Sequence, residues 1–478
     1  MYENVTRDLA IFVTEAKYEN LPKDEVEKIK LILLDDIGNA LGGHITDRAR
    51  IAMEFVNEMG GNPQASIIGG RLTNYAMASL INSELINALD YDLIGPLGSH
   101  ITPYVTPTPL AIAEREHASG KDLILALALA HEIGGRVLSS MAQQKMLLDE
   151  HPYYKESPRF STSGTIFGAV ASGAKLLDFN VETLTNALGI AGASTAVPGN
   201  IKWHHMTGPS IMTKYNCWSG WISQLATVAV LLAEKGFTGD RTILDGDYGY
   251  WQMVGSPYFK ADNLLGELGK VWHINEVRFK MYPTCAPYHT AIEGISDLIN
   301  ENQIRPGDIE SIVVKGDPIM MTPNRMHTEI NSFADMQFAV IPNLAVAVFY
   351  GDRPSPCWQM PEVYNDPRVR EILPRIKLQV HPRIDDLIAG LAREGKLPIY
   401  MGNIVEIITK GKKFTIEVAS PKGSPDRPVS QSELVDKFRR NASYSMLKSR
   451  KVDKLIGLLL RLDEIDDVTE LCRMMSIS

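Results

Sequence analysis

Between Leu123 and Ala130 nearly every side chain is apolar, inside a helical pattern that runs over residues 122–141. A surface helix shows one apolar stripe, so a stretch that is apolar all round must lie in the middle of a bundle of other helices. The chain supplies such partners. Val26, Ile29, Leu33 and Ile37 fall at helical spacing and predict a helix that starts at Leu21-Pro22-Lys23-Asp24, with Asp24 as cap, and stops at Gly42-Gly43. Helical patterns also cover 6–17, 54–59, 74–88 and 109–118, with a turn or short strand at 65–70. Two helices at 165–177 and 182–194 are rich in Gly and Ala, which lets backbones approach closely. A long apolar helix at 215–235 ends on Gly236, suited to a C-cap. His131, Glu132 and Arg136 sit inside the apolar stretch and read as a buried ion pair that ties helices together.

Near residue 270 the pattern changes. Alternating β-branched segments appear at 311–315, 376–380, 404–410 and 414–419, with Gly411-Lys412 as a hairpin turn. Helices are expected at 289–300, 335–349 and 432–441, a Pro-rich connection at 421–428, and helices again at 454–462 and 468–475. The fold class read from this is mainly α, with a large all-helical domain over 1–270, a smaller α/β domain over 271–444, and residues 445–478 packing back on the first domain. A length of 478 residues suits two domains.

The net charge of −9 argues against a nucleic-acid or anionic-membrane surface. Cys217, Cys285, Cys357 and Cys472 are far apart and read as reduced thiols, and the N-terminal residues carry acids with no apolar core, so a cytoplasmic protein is expected. The longest apolar runs, 123–130 and 226–233, are too short to cross a bilayer.

Chemistry concentrates in Asn87-Ala-Leu-Asp-Tyr-Asp-Leu-Ile-Gly-Pro-Leu-Gly-Ser-His-Ile-Thr-Pro103. A helical pattern ends there on Asp90 and Asp92 and passes through a Gly/Pro/Ser turn to His100. Unpaired charge next to a core costs several kcal/mol, roughly, so such groups are paired or used. Dinucleotide-binding, P-loop, zinc-protease and nucleophile-elbow motifs are all missing. His204-His205 is a poor metal pair, because adjacent side chains point apart. Cys285 and His289 have a spacing that allows a thiol–imidazole contact, but the flanking Pro283 and Pro287 favour a shaped loop leading into a helix. Lys214 and Lys280, read singly, are surface charges. Read with Asp90 and His100, they meet the needs of proton removal α to a carboxylate: a base held by a carboxylate, and fixed positive charge where an enediolate develops.

At this point the chain resembles the MmgE/PrpD family, which includes 2-methylcitrate dehydratases, cis-aconitate decarboxylases and iminodisuccinate epimerases. The resemblance rests on Leu34-Asp35-Asp36-Ile37-Gly38-Asn39-Ala40-Leu41-Gly42-Gly43, on Asn82 through Ala88-Leu89-Asp90-Tyr91-Asp92 with His100, and on Lys214 with Gly220. It continues through Leu231-Leu-Ala-Glu-Lys-Gly236-Phe-Thr-Gly239, Ile243-Leu-Asp-Gly246, Lys280-Met-Tyr-Pro283-Thr-Cys285 with His289, Ser420-Pro-Lys-Gly423-Ser-Pro425 and Glu433-Leu-Val-Asp-Lys437-Phe438. Each motif is weak alone; their order and spacing over nearly the whole chain are specific.

The resemblance implies a helical domain and an α/β lid with the site in the cleft between them, a homodimer, a small carboxylic acid as substrate, and no metal or other cofactor. Carried over, His100 becomes the acid or base, Asp90 orients it, and Lys214 and Lys280 face substrate carboxylates or the departing group. Asp92, Arg159, His204, Cys285 and Asn343 join them as expected substrate-binding residues. Four departures fall in the pocket. Asn87 stands where many members have His, Leu93 where many have a further Asp, and Pro158-Arg-Phe-Ser-Thr-Ser-Gly164 where many have a Gly-aromatic-His segment. Asn343 takes a position that is aromatic in cis-aconitate decarboxylase-like members. These changes count against 2-methylcitrate and cis-aconitate as substrates and leave the proton chemistry standing; Arg159, His204 and His205 are the residues available to compensate. The expected activity is a dehydratase-like lyase, with an epimerase, isomerase or decarboxylase as alternatives and a non-catalytic helical binding protein as the remote one.

Overall fold

The computed structural model describes residues 3–95, 98–141, 162–195, 203, 206–207, 210–214, 218–256, 259–393 and 402–477. The chain is mainly α. Its helices of ten or more described residues are α1 Val5–Glu15, α2 Lys23–Gly43, α3 Asp47–Met59, α4 Tyr75–Asn87, α5 Pro107–Glu116, α6 Gly120–Ser140, α7 Ile166–Leu176, α8 Val181–Ser194 and α9 Ser219–Glu234, then α10 His289–Glu301, α11 Val340–Tyr350, α12 Ile384–Arg393, α13 Gln431–Ala442 and α14 Ser449–Leu460. Strands are β1 Ala65–Ser66, β2 Leu72–Thr73, β3 Ile309–Gly316, β4 Ile376–Val380, β5 Asn403–Thr409 and β6 Lys412–Val418.

Caps explain where several helices begin. Asn74 accepts from the Met77 amide ahead of α4, and Ser119 with Asp122 and Ser430 with Glu433 form capping boxes ahead of α6 and α13. Asp24 is not a cap: Pro22 precedes α2, and Asp24 lies in the first turn, where its charge favours the positive end of the helix. The expected helix over 335–349 is two helices, Phe333–Phe338 and α11, separated at the extended Ala339. Pro342 would clash with the carbonyl four residues back in a continuous helix. The break also frees the Phe338 carbonyl to accept from the Tyr288 hydroxyl at 2.6 Å. The hairpin turn is Lys410-Gly411, one residue earlier than expected, since Thr409 pairs with Lys412 and both turn residues have positive φ, as a two-residue hairpin of this hand requires.

The first core is a helical bundle around α6, which is buried on nearly every residue. By length and apolar character α6 passes as a membrane span, a reading that the short run 123–130 did not anticipate, yet it is enclosed by other helices. Gly168 lets α7 close on it: a Cβ there would lie 2.1 Å from the Ala130 carbonyl oxygen. Around this pair, α4 packs on α9 and α2 on α13. Val452, Leu455, Ile456 and Leu459 of α14, and Leu471, Cys472 and Met475 beyond it, complete the same core. The second core is built on a four-stranded sheet in the order β4-β3-β5-β6, with β3 parallel to β4 and antiparallel to β5. Ile312, Val314, Val405 and Ile407 point to the face covered by Ile292 and Ile295 of α10 and Leu344 and Val348 of α11. The change of composition near residue 270 precedes the change of packing. Trp272, Ile274, Val277 and Phe279 belong to the first core, and so do Leu434 and Phe438 of α13, which the sequence reading had grouped with 271–444.

Candidate active site

A helix leaves its last carbonyls without partners. Those after α4 find theirs far away in the chain. Asn87 O accepts from Lys214 Nζ at 2.6 Å, Ala88 O from Gln337 Nε2 at 2.7 Å and Leu89 O from Gln359 Nε2 at 2.6 Å. Asp90 O accepts from Lys280 Nζ at 2.7 Å, and Tyr91 O from Lys437 Nζ at 3.0 Å and Asn39 Nδ2 at 3.1 Å. Donors on both cores thus hold one turn. Within it Asp90 has a φ of 54°, a left-handed conformation costing a non-glycine residue about 1 kcal/mol. Beyond it, Ile94 exchanges two backbone hydrogen bonds with Arg278, and Gly95 N donates to Ser99 O at 2.7 Å. That short return brings His100 back beside the acids.

His100 Nδ1 lies 2.6 Å from Asp92 Oδ2. The neighbours of Asp92 outweigh its burial, His100 foremost, and hold its carboxyl below the usual range. An ionised carboxylate only accepts, so Nδ1 carries a proton and donates it to Asp92. The carboxylate that orients the imidazole is therefore Asp92, where the sequence reading had put Asp90. Asp90 sits on the other side, its Oδ1 3.5 Å from His100 Nε2 and 3.7 Å from Lys214 Nζ, while Oδ2 accepts from Lys280 Nζ at 2.7 Å. Burial pushes Asp90 up, but Lys280, Lys214 and His100 together hold it far below the usual carboxylate range. Burial takes Lys214 down to about 7 against the pull of Asp90. Lys214, Lys280, His100, Asp90 and Asp92 are all at most 4 % exposed. One imidazole nitrogen, one ammonium and one carboxylate oxygen that accepts no hydrogen bond converge on a single point. A small cavity lined by Thr46, Arg48, Ala88, Met212, Lys214 and Gln337 adjoins it. A larger surface concavity, about 490 Å³, lies elsewhere, among His117, Arg461, Asp467 and Arg473.

The polar contacts of Cys285 and Asn343 lead away from this point. The Cys285 thiol, pushed up by burial, takes Arg325 Nη2 at 3.9 Å, and its peptide N–H goes to Gln337 O. His289 turns Nε2 to the Thr284 carbonyl at 3.2 Å, and burial takes it down to about 3. Neither arrangement activates a thiolate. The Asn343 amide donates to the carbonyls of Met336 and Ala339 at the break before α11. Arg159, Lys202, His204, His205 and Cys217 lie outside the described residues; Cys285, Cys357 and Cys472 are free thiols. Among the described residues no group of three or more His, Cys, Asp or Glu is arranged to hold a metal ion. Arg136 pairs with Glu132 and donates to the carbonyls of Leu264, Gly266, Glu267 and Val271, the structural role read from sequence.

Sequence reasoning missed Lys437, Asp35, Gln337, Gln359 and Arg48 as parts of this site. Lys437 Nζ is 2.8 Å from Asp35 Oδ1 and also donates to Lys280 O at 2.9 Å. A usable signal was present: Asp35-Asp36 lie between Leu34 and Ile37 on an apolar helix, and Lys437 beside Phe438.

Models of the MmgE/PrpD N-terminal and C-terminal domains match residues 7–261 and 282–462. A cis-aconitate decarboxylase-like protein of Aspergillus oryzae is 26 % identical, the match covering 99 % of this chain and 97 % of the relative. Human cis-aconitate decarboxylase is 24 % identical over 98 % of this chain and 94 % of its own, and that of Aspergillus terreus 23 % over 99 % and 96 %.

Proposed function

The chain belongs to the MmgE/PrpD family, and from that premise we propose that it is a lyase acting on a small di- or tricarboxylic acid without a cofactor. The observation that carries this reading is the buried meeting of His100 Nε2, Lys214 Nζ and Asp90 Oδ1 beside a proton-bearing His100 Nδ1 locked to Asp92. His100 Nε2 takes the proton from the carbon next to a substrate carboxylate. Negative charge then builds on the carboxylate oxygens as the enediolate forms, and fixed ammonium groups stabilise it most in a site shut off from water. Lys280 spends hydrogen bonds on Asp90, so an incoming carboxylate competes with Asp90 for it. Lys214, close to half protonated near neutrality, can give a proton to a departing β-hydroxyl and regain it. We assign the helical bundle and the sheet-based core to two domains, with the substrate between them and the second acting as a lid.

Decarboxylation is the second reading. It is favoured by the cis-aconitate decarboxylases that match this chain from end to end. There, carbon dioxide leaves instead of hydroxide, and His100 or Lys214 protonates the carbanion. A panel of di- and tricarboxylic acids followed by NMR in deuterated buffer tests both. An alkene formed by loss of water supports the dehydratase, loss of a carboxylate carbon supports the decarboxylase, and α-deuteration alone points to epimerisation. His100→Gln should abolish turnover while leaving the fold intact; a folded variant with near-normal turnover would refute the assignment.

A further inference from the structure

We propose that Arg48 and Asn87 are a pair of positioning residues that set the proton affinity of His100 through Asp92. The proposal rests on the reading of His100 as the proton-moving group. Asn87 is the last residue of α4, and its side chain spans two charged partners. Nδ2 donates to Asp92 Oδ1 at 3.0 Å, and Oδ1 accepts from Arg48 Nη1 at 2.8 Å. Guanidinium only donates, so it settles which end of the amide faces it and leaves the NH₂ for the carboxylate. Arg48 is itself pinned, by Glu84 Oε2 at 2.6 Å and Ser219 Oγ at 3.0 Å. A continuous chain of contacts therefore runs Glu84–Arg48–Asn87–Asp92–His100, starting on α3 and α4 and ending on the imidazole.

Asp92 divides its charge between two donors, Asn87 on one oxygen and His100 on the other. Removing the Asn87 donor leaves more negative charge for the imidazolium and raises the proton affinity of the ring. Asp90 stands near Nε2, with Lys214 and Lys280 beyond it, and Lys437, Asp35 and Asp36 act on Asp92 from behind. A substitution at position 87 changes none of these groups. It also spares the ammonium arm of the site, because Lys214 is held by the Asn87 backbone carbonyl, which any residue supplies.

The experiment is a pH titration of His100 by NMR on full-length protein with ¹⁵N-labelled histidine, the signal assigned by its absence in His100→Gln. Asn87→Ala is expected to raise the His100 pKa by about half a unit to one unit, and to move the acid limb of kcat/KM up by the same amount. Arg48→Lys, which keeps the charge but loses the fork that serves Glu84 and Asn87 together, should shift it the same way by less. Asn87→Ser replaces Asn87→Ala if the latter does not fold. An unshifted His100 titration in a folded position-87 variant overturns the proposal. Turnover that survives His100→Gln overturns the catalytic reading instead, and the NMR shift still decides the pair.

Discussion

Lys437→Met removes the ammonium that ties α13 to the turn after α4. In the parent, Lys437 Nζ pairs with Asp35 at 2.8 Å, donates to Tyr91 O and Lys280 O, and lies 3.8 Å from the centre of the Tyr91 ring. Burial pushes Asp35 up and Lys437 down, so the pair is held together against a large desolvation cost. Breaking such a pair by removing one partner costs roughly 3–5 kcal/mol, since the other charge stays buried alone. The Lys280 carbonyl also loses its donor, about 1–3 kcal/mol, whereas Tyr91 O keeps Asn39. Asp35 can escape by taking up a proton. Its folded-state pKa then lies further above the unfolded value, so the stability this uptake preserves is full below the unfolded pKa and is lost as pH rises through the folded one, by at most about 1.4 kcal/mol per pH unit. The deficit should therefore be smaller at pH 5 than at pH 8, where it reaches about 5 kcal/mol. Urea unfolding followed by tryptophan fluorescence at both pH values measures it. A variant whose midpoint matches the parent, or whose deficit is equal at the two pH values, would show that the ion pair does not carry the stability assigned to it.

Three further outcomes follow from the site. Asp92→Asn presents an amide to His100 Nδ1 in place of a carboxylate, releases the tautomer, and should lower kcat by about 10²–10⁴-fold with little change in melting temperature, as read by turnover and circular dichroism. Because Lys214 is protonated only below about 7, kcat/KM should fall above neutrality, and Lys214→Met should remove that alkaline limb along with most activity. The same depression means that the unfolded chain holds an extra proton between about 7 and the ordinary lysine value, so the parent should gain stability relative to Lys214→Met as pH rises through that window.

The parts of the molecule legible in sequence were those governed by local pattern. Apolar surround placed α6 at the centre, Gly236 ended α9 with a φ of 86°, and alternation found all four strands of the large sheet. His100 and the two acids were readable because one short stretch carries them all. What escaped depended on contacts across hundreds of residues. Asp90 and Asp92 are two positions apart, and only the left-handed turn at Asp90 decides which one meets Nδ1. Lys437 reaches Tyr91 across 346 positions, and Gln337 and Gln359 are single polar residues whose value comes from the carbonyls they meet. The extent of α3 was misjudged for a related reason: its polar start hides a buried Arg48.

The turn after α4 has a consequence for how the protein is made. Asp90, Asp92 and His100 are synthesised well before most of the donors that seat their backbone, which are spread to Lys437. A nascent chain owns all the acids and the imidazole long before it owns the frame. The frame around these side chains therefore closes only once α13 is present, however well the early helices assemble.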